Sequence, residues 1–175
     1  MKTPVFVLCL AVSGVLVVGE QTSDTQLQAH LEHLFPAATS FSPKEGNPPH
    51  FKAYRDDAGD GGVPTLVGFA FYTTELEPLE RGYDGPIRVL VGMDTGGVLT
   101  SIVVIDHNEP YGYFSIEPPE FAAQFVRKSI RDRFRVGDDI DAISTATLTV
   151  TSTTRAVRNG ARRIARQFLN PEDVK

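Results

Sequence analysis

The strongest constraint on this chain is a pair of apolar segments of near-alternating β-branched residues, joined by Asp94-Thr95-Gly96-Gly97. Residues 87–93 (IRVLVGM) lead into that turn and residues 98–105 (VLTSIVVI) lead out of it. Branched side chains crowd a helix but pack well on a pleated surface, and Asp and Gly supply the backbone conformations of tight turns. The pattern predicts an antiparallel hairpin. Residues 66–73 (LVGFAFYT) alternate in the same way and predict a further strand.

The flanks have helical periodicity instead. Ser23-Asp24-Thr25-Gln26 has the form of a capping box, and Leu27, Leu31, Leu34 and Phe35 recur at helical spacing up to Pro36. Pro118-Pro119-Glu120 predicts a helix carrying Phe121, Phe125 and Ile130. Residues 140–143 predict a short strand. Val157, Ala161, Ile164, Ala165 and Phe168 predict a last amphipathic helix, stopped by Asn170-Pro171. Residues 42–49 and 56–62 have the Pro, Gly, Asn and Asp content of loops. Strands in the middle, with helices before and after them, predict a single α+β domain built on an antiparallel sheet.

At 175 residues, 41% hydrophobic and 22% charged, the composition is that of an ordinary globular domain. Cys9 is the single cysteine, which excludes an internal disulfide framework, a Cys-rich zinc site and an iron–sulfur cluster within the chain. Any redox chemistry must therefore use a borrowed cofactor. Cys9 lies in an apolar run over residues 5–18 that follows Met1-Lys2 and precedes a polar stretch. The run is shorter than the roughly 20 residues a spanning helix needs, so residues 1–19 read as a secretory signal peptide, with an uncleaved membrane anchor as the alternative. Either reading places residues 20–175 outside the cytoplasm, in the periplasm or its equivalent.

The formal charge of −5 argues against a nucleic-acid binder, but it hides a split. Residues 20–120 hold 5 Lys and Arg against 16 Asp and Glu, whereas residues 121–175 hold 11 against 6.

The segment with chemical promise is Asp141-Ala142-Ile143-Ser144-Thr145-Ala146-Thr147-Leu148-Thr149, followed by a helix bearing Arg155, Arg158, Arg162, Arg163 and Arg166. Small residues entering a helix N-terminus let backbone N–H groups approach an anion, and the helix dipole adds about half a positive charge there. A phosphate suits such a site. The plainer alternative is structural: Thr147, Thr149 and Thr151 alternate as in a half-exposed strand, and hydroxyls nearby serve as ordinary caps.

Asp141 to Thr147 resembles the flavinylation motif of the FMN-binding domain found in the C subunit of the sodium-pumping NADH:quinone oxidoreductase, the G subunit of the Rnf complex and NosR-type regulators. In that family the motif ends in Ser/Thr-Gly-Ala-Thr, and its last Thr carries FMN through a phosphoester. The resemblance extends to Leu34-Phe35-Pro36, Phe41, Gly46, Pro48-Pro49, Tyr54, Gly82-Tyr83-Asp84-Gly85, residues 89–92, Gly97 and His107-Asn108-Glu109-Pro110. Within the family these residues look most like the extracytoplasmic domain of NosR-type proteins.

The resemblance implies FMN held covalently on Thr147, with Asp141, Ser144, Thr145 and Ala146 forming the motif around it and Thr149 as the next candidate hydroxyl. It implies a flavin transferase for maturation, a membrane or periplasmic redox partner, and the work of an electron carrier rather than of a stand-alone enzyme. One position departs from the pattern: the family's Gly is Thr145 here, and a β-branched residue resists the positive φ that Gly permits. That departure favours the alternative of a regulatory or sensory domain with noncovalent flavin or none.

His107 and Glu109 are two apart and would share a strand face as an acid/base pair. The resemblance places Glu109 beside the flavin or the ester loop. Tyr83 and Tyr113, with Tyr111 and Phe114, offer rings that could stack on a flavin or fill the core. His30 and His33 are spaced i, i+3 but lack a third ligand. Arg127, Lys128, Arg131, Arg133 and Arg135 form a second basic cluster, the pattern of a solvated face or a docking surface.

Overall fold

The structure, a computed structural model, describes residues 18–56 and 62–172, with side chains described from Asp24 onward. Helix α1 (Val18–Leu34) leads into strands β1 (Ser40–Phe41), β2 (Phe51–Arg55) and β3 (Thr65–Tyr72), then the one-turn helix α2 (Thr73–Leu76). Strands β4 (Arg88–Asp94) and β5 (Leu99–Asp106) follow, then the short helices α3 (Gly112–Ser115) and α4 (Pro119–Ala123), and the long helix α5 (Thr147–Phe168). The five strands form one sheet in the order β1-β2-β3-β4-β5, antiparallel throughout. This is the α+β arrangement expected from the sequence. The apolar run at residues 5–18 lies almost wholly outside the described residues.

The hairpin forms as its turn residues predict. The Asp94 carboxylate accepts from the Gly96 and Val98 N–H groups at 2.8 and 2.9 Å, and Gly97 takes φ +75. Alternation then sends the two sides of each strand to opposite layers. Phe69, Phe71, Val89, Val91 and Met93 face α4 and α5, burying against Phe121, Phe125, Val157, Ala161 and Ile164. Ala70, Tyr72 and Leu90 face α1, where Leu31, Leu34 and Phe35 cover them.

Close approach of the helices depends on missing side chains. A Cβ on Gly160 of α5 would stand 2.6 Å from the Phe71 ring, so that glycine lets the helix lie flat on β3. On the other layer, a Cβ on Gly68 or Gly92 would crowd the Phe35 ring, at 2.5 and 3.3 Å.

Several local expectations are corrected. Helix α1 begins at Val18, so Ser23 is inside it and is not its N-cap. The Pro119 helix ends at Ala123, and Ile130 lies beyond it, where Ile130 N–H donates to Gly97 O at 2.9 Å and extends the pairing beside the hairpin turn. Residues 140–143 form no strand: Ile140 makes a lone bridge to Val136. Asp139 governs that loop instead, accepting from the Phe134 and Arg135 N–H groups and pairing with Lys128 at 3.0 Å. Burial pushes its carboxyl up, but those bonds outweigh burial and hold it below the usual carboxylate range.

Replacing Gly160 by Val should push α5 off the sheet and cost about 1–3 kcal/mol, the usual range for overpacking a core. Urea unfolding followed by circular dichroism measures this, and an unchanged midpoint would contradict the packing described.

Candidate functional site

Thr147 is the first residue of α5, and the motif before it is the turn that feeds the helix. The strand reading of Thr147, Thr149 and Thr151 is therefore corrected: all three lie in the first turns of a 22-residue helix. Their alternate spacing distributes them around it. Thr147 is exposed, whereas Thr149 is only 3% exposed. The N-cap, Ala146, has a side chain with no oxygen, and no side-chain hydrogen bond caps this end of the helix. The first-turn N–H groups there lack the side-chain acceptor that most helix starts provide.

The departure at Thr145 has a clear geometric outcome. Thr145 adopts φ +69, the left-handed conformation that the family's Gly takes at no steric cost, and its hydroxyl donates to Ser144 O at 2.6 Å. The turn is kept and the residue is strained. Ser144 is exposed beside it, and Ala146 N–H donates to Ile143 O at 3.2 Å. Asp141 is exposed, its N–H donating to the Gln124 side chain at 2.7 Å.

Behind this turn sits Glu109, buried at 6% exposure. Its carboxylate accepts from Tyr83 N–H at 3.0 Å, from Asp84 N–H at 2.9 Å, and from the Thr149 hydroxyl in a very short contact. Burial raises the pKa of such a group, but these three donors together outweigh it and hold the Glu109 carboxyl below its usual range. A Cβ on Gly82 would fall 2.4 Å from a Glu109 oxygen, so Gly82 makes room for the carboxylate.

His107 and Glu109 do not share a strand face, because β5 ends at Asp106. Their contact runs through the main chain: Glu109 N–H donates to His107 Nδ1 at 3.1 Å, and His107 Nε2 meets Glu117 at 3.2 Å. Gly112 accommodates that imidazole, since a Cβ there would stand 2.1 Å from it.

The aromatic residues split unexpectedly. Tyr83 and Tyr113 are 74% and 67% exposed, Tyr111 is also exposed, and Phe114 is half-buried against both tyrosines of its segment. None of them joins the core. They stand on the segments that carry Glu109 and its Tyr83 partner, with exposed Leu148 on the first turn of α5.

The arginines of α5 are mostly committed elsewhere. Arg155 pairs with Glu80 at 2.8 Å, Arg162 donates to Ile130 O and Asp132 O at 2.8 Å, and Arg163 donates to Leu76 O at 2.7 Å. They tie the loops on either side to the helix. This stitching is not legible in the sequence, because a charge run gives no sign of which carbonyls will lie near it.

Comparison with known families bears on the same residues. The FMN-binding domain model matches residues 82–162, from Gly82 through β4, β5 and most of α5. Residues 82–162 are thus similar to the FMN-binding domain. No curated protein matches the chain. The matched segment contains the Gly82-to-Asp84 loop, Glu109 and the Thr147 turn, so the hydrogen-bonded cluster is internal to the stretch that resembles the FMN-binding domain.

Two predictions follow from the cluster. A carboxyl with a lowered folded pKa contributes stability that is present above its unfolded value, about 4.3, and is lost as pH falls through the folded value. Glu109→Gln should cost about 2 kcal/mol at pH 7, since one buried donor loses its acceptor, and should flatten the fall in stability below about pH 4. Urea midpoints across pH 3–7 measure both, and parallel curves for the two proteins would contradict the assignment. Thr145→Gly should relieve the left-handed strain and stabilise by up to about 1 kcal/mol, or roughly 2–4 °C in Tm; a lower Tm would count against it.

Proposed function

We propose that this FMN-binding domain carries FMN covalently, as a phosphoester on Thr147, and passes electrons between redox partners outside the cytoplasm. The observation that carries the reading is the exposed Thr147 hydroxyl at an uncapped helix start within the matched segment. Bound there, FMN would supply one- and two-electron chemistry that the amino acids lack.

The residues present fit such a group. The phosphate would lie where α5 offers first-turn N–H groups and the positive end of its dipole. Exposed Tyr83, Tyr113 and Leu148 provide apolar surface for a flat ring. Thr149 is not presented for modification, because it is buried with its hydroxyl given to Glu109. The regulatory alternative drew on Thr145, and that residue adopts the left-handed turn despite its branched side chain.

Maturation requires a transferase that uses FAD. The Thr147 Oγ–phosphorus bond forms as the bond from that phosphorus to the bridging oxygen of the diphosphate breaks. AMP leaves with the bonding pair, and the hydroxyl proton passes to a base of the transferase. The narrower sequence resemblance to NosR-type domains and the apolar run over residues 5–18, read as a signal peptide or an uncleaved anchor, both support an extracytoplasmic setting, where a covalent ester would prevent loss of a cofactor that cannot be replaced.

Co-expression with a flavin transferase in an exporting host should give a denaturation-resistant yellow fluorescence in gels. The Thr147 peptide should gain the mass of FMN less water, and Thr147→Ala should lose both signals. An unmodified Thr147 peptide after exposure to active transferase would sink the covalent reading.

A further inference from the structure

A cleft of about 460 Å³ opens on the face of the sheet that α1 covers, opposite α5, where β2 begins, β3 ends and β4 begins. Leu31, Phe51 and Tyr72 line it from the buried layer, and half-buried Leu27 and Phe41 continue its apolar surface outward. Of its lining residues only Arg88 falls within the matched segment 82–162, and none belongs to the Asp141-to-Thr149 motif or to the Glu109 cluster. The cleft therefore owes nothing to the reading of Thr147.

Most of its polar lining is already used within the protein. Gln28 donates to Glu32 at 2.9 Å, the Ser42 hydroxyl donates to Pro43 O at 2.8 Å and accepts from Lys52 N–H at 2.9 Å, and Lys44 pairs with Glu75 at 2.6 Å. Of the two cations, Arg88 is the free one. It has no hydrogen bond or ion pair among the described residues, and its Nε is buried without an acceptor. Asp106 stands opposite it in the β4–β5 register but makes no ion pair with it. What holds the guanidinium is the Tyr72 ring, whose centroid lies 4.1 Å from the guanidinium carbon.

We propose that this cleft binds a small carboxylate bearing an apolar chain, with the carboxylate on Arg88 and the chain against Leu27, Leu31, Phe41 and Phe51. A guanidinium stacked on an aromatic face is fixed in orientation while its donors in the plane stay available, and their fork matches a carboxylate. Donors left without acceptors cost stability, and the cleft beside Arg88 is where an acceptor can enter. The charge balance selects a monoanion: Glu75 neutralises Lys44, and exposed Asp24 in the lining would repel a second negative charge. The volume lies within the range of small-molecule sites, about 300–1,000 Å³.

The test titrates the full-length chain with octanoate by calorimetry at neutral pH, with octan-1-ol as the uncharged analogue of equal length. Octanoate should fill one site with half-saturation at about 1 mM or below, and octan-1-ol should bind about tenfold more weakly or worse. Arg88→Met keeps an apolar stem beside Tyr72 but removes the fork, so it should weaken octanoate about tenfold and leave octan-1-ol unchanged. Arg166→Met removes an arginine from a different cleft and should bind octanoate like the natural chain. Equal affinity for acid and alcohol, octanoate binding indifferent to Arg88→Met, an equal loss in Arg166→Met, or no saturation would each overturn the proposal.

Amide shifts in nuclear magnetic resonance spectra locate the bound acid. Octanoate should move the signals of residues 27–31, 41–44, 72 and 88 and leave those of residues 147–149 in place. Shifts centred on residues 147–149, or confined to the apolar run before residue 19, would place the acid elsewhere and refute the assignment. Circular dichroism and Tm establish that each variant is folded. If Arg88→Met unfolds the chain, Leu27→Glu decides instead: a negative charge on the half-buried apolar wall should weaken octanoate about tenfold, and unchanged binding there would equally refute the cleft.

Discussion

One buried carboxylate holds the site together. Glu109 receives donors from the loop after α2 and from the first turn of α5, while its own N–H is fixed by His107. Remove the charge and the buried donors lose an acceptor in a place water reaches poorly, a cost of about 1–3 kcal/mol for each group left unpaired. With it in place, the 82–84 loop, the segment after β5 and the start of α5 take up one fixed relation. That relation fixes where Thr147 emerges, because Thr149, two residues later, is the helix's tie to Glu109.

The arrangement separates two hydroxyls that look equivalent in sequence. Helical geometry turns Thr149 inward, where a carboxylate spends its hydroxyl on structure, and leaves Thr147 outward with no structural partner closer than the 3.5 Å approach to Ile143 O. The same geometry explains the strained Thr145. A sharp reversal is needed between Ser144 and the helix start, and the packing of Ala146 inside with Thr147 outside imposes it whichever residue occupies position 145. A left-handed Thr costs of order 1 kcal/mol or more, an amount the ties on either side of the motif can hold.

Much of the fold was legible because period-two alternation and helical spacing report directly on which face is buried. The hairpin, its Asp-Gly turn, the sheet flanked by helices and the long last helix all followed from such patterns. The misreadings arose where a pattern was short or polar. Residues 140–143 are apolar enough for a strand, but the Asp139 carboxylate holds the preceding loop from within, and Ile140 makes only a lone bridge to Val136. Thr147 to Thr151 alternate like a strand, yet small hydroxylated residues begin a helix equally well when a turn precedes them. The motif residues were legible; the role of Glu109 as acceptor for Thr149 was not, since the two are 40 residues apart and nothing local links them.

The charge asymmetry along the chain acquires a structural meaning that a sum of charges cannot convey. Acidic residues of the front half meet basic residues of the back half directly, as Glu80 does Arg155. Other basic residues donate to main-chain carbonyls, as Arg162 and Arg163 do. A guanidinium suits this work because its fixed fork can satisfy two carbonyls at once, as Arg162 satisfies those of residues 130 and 132. Most of the positive excess on α5 is therefore consumed in fastening loops to the helix that bears Thr147.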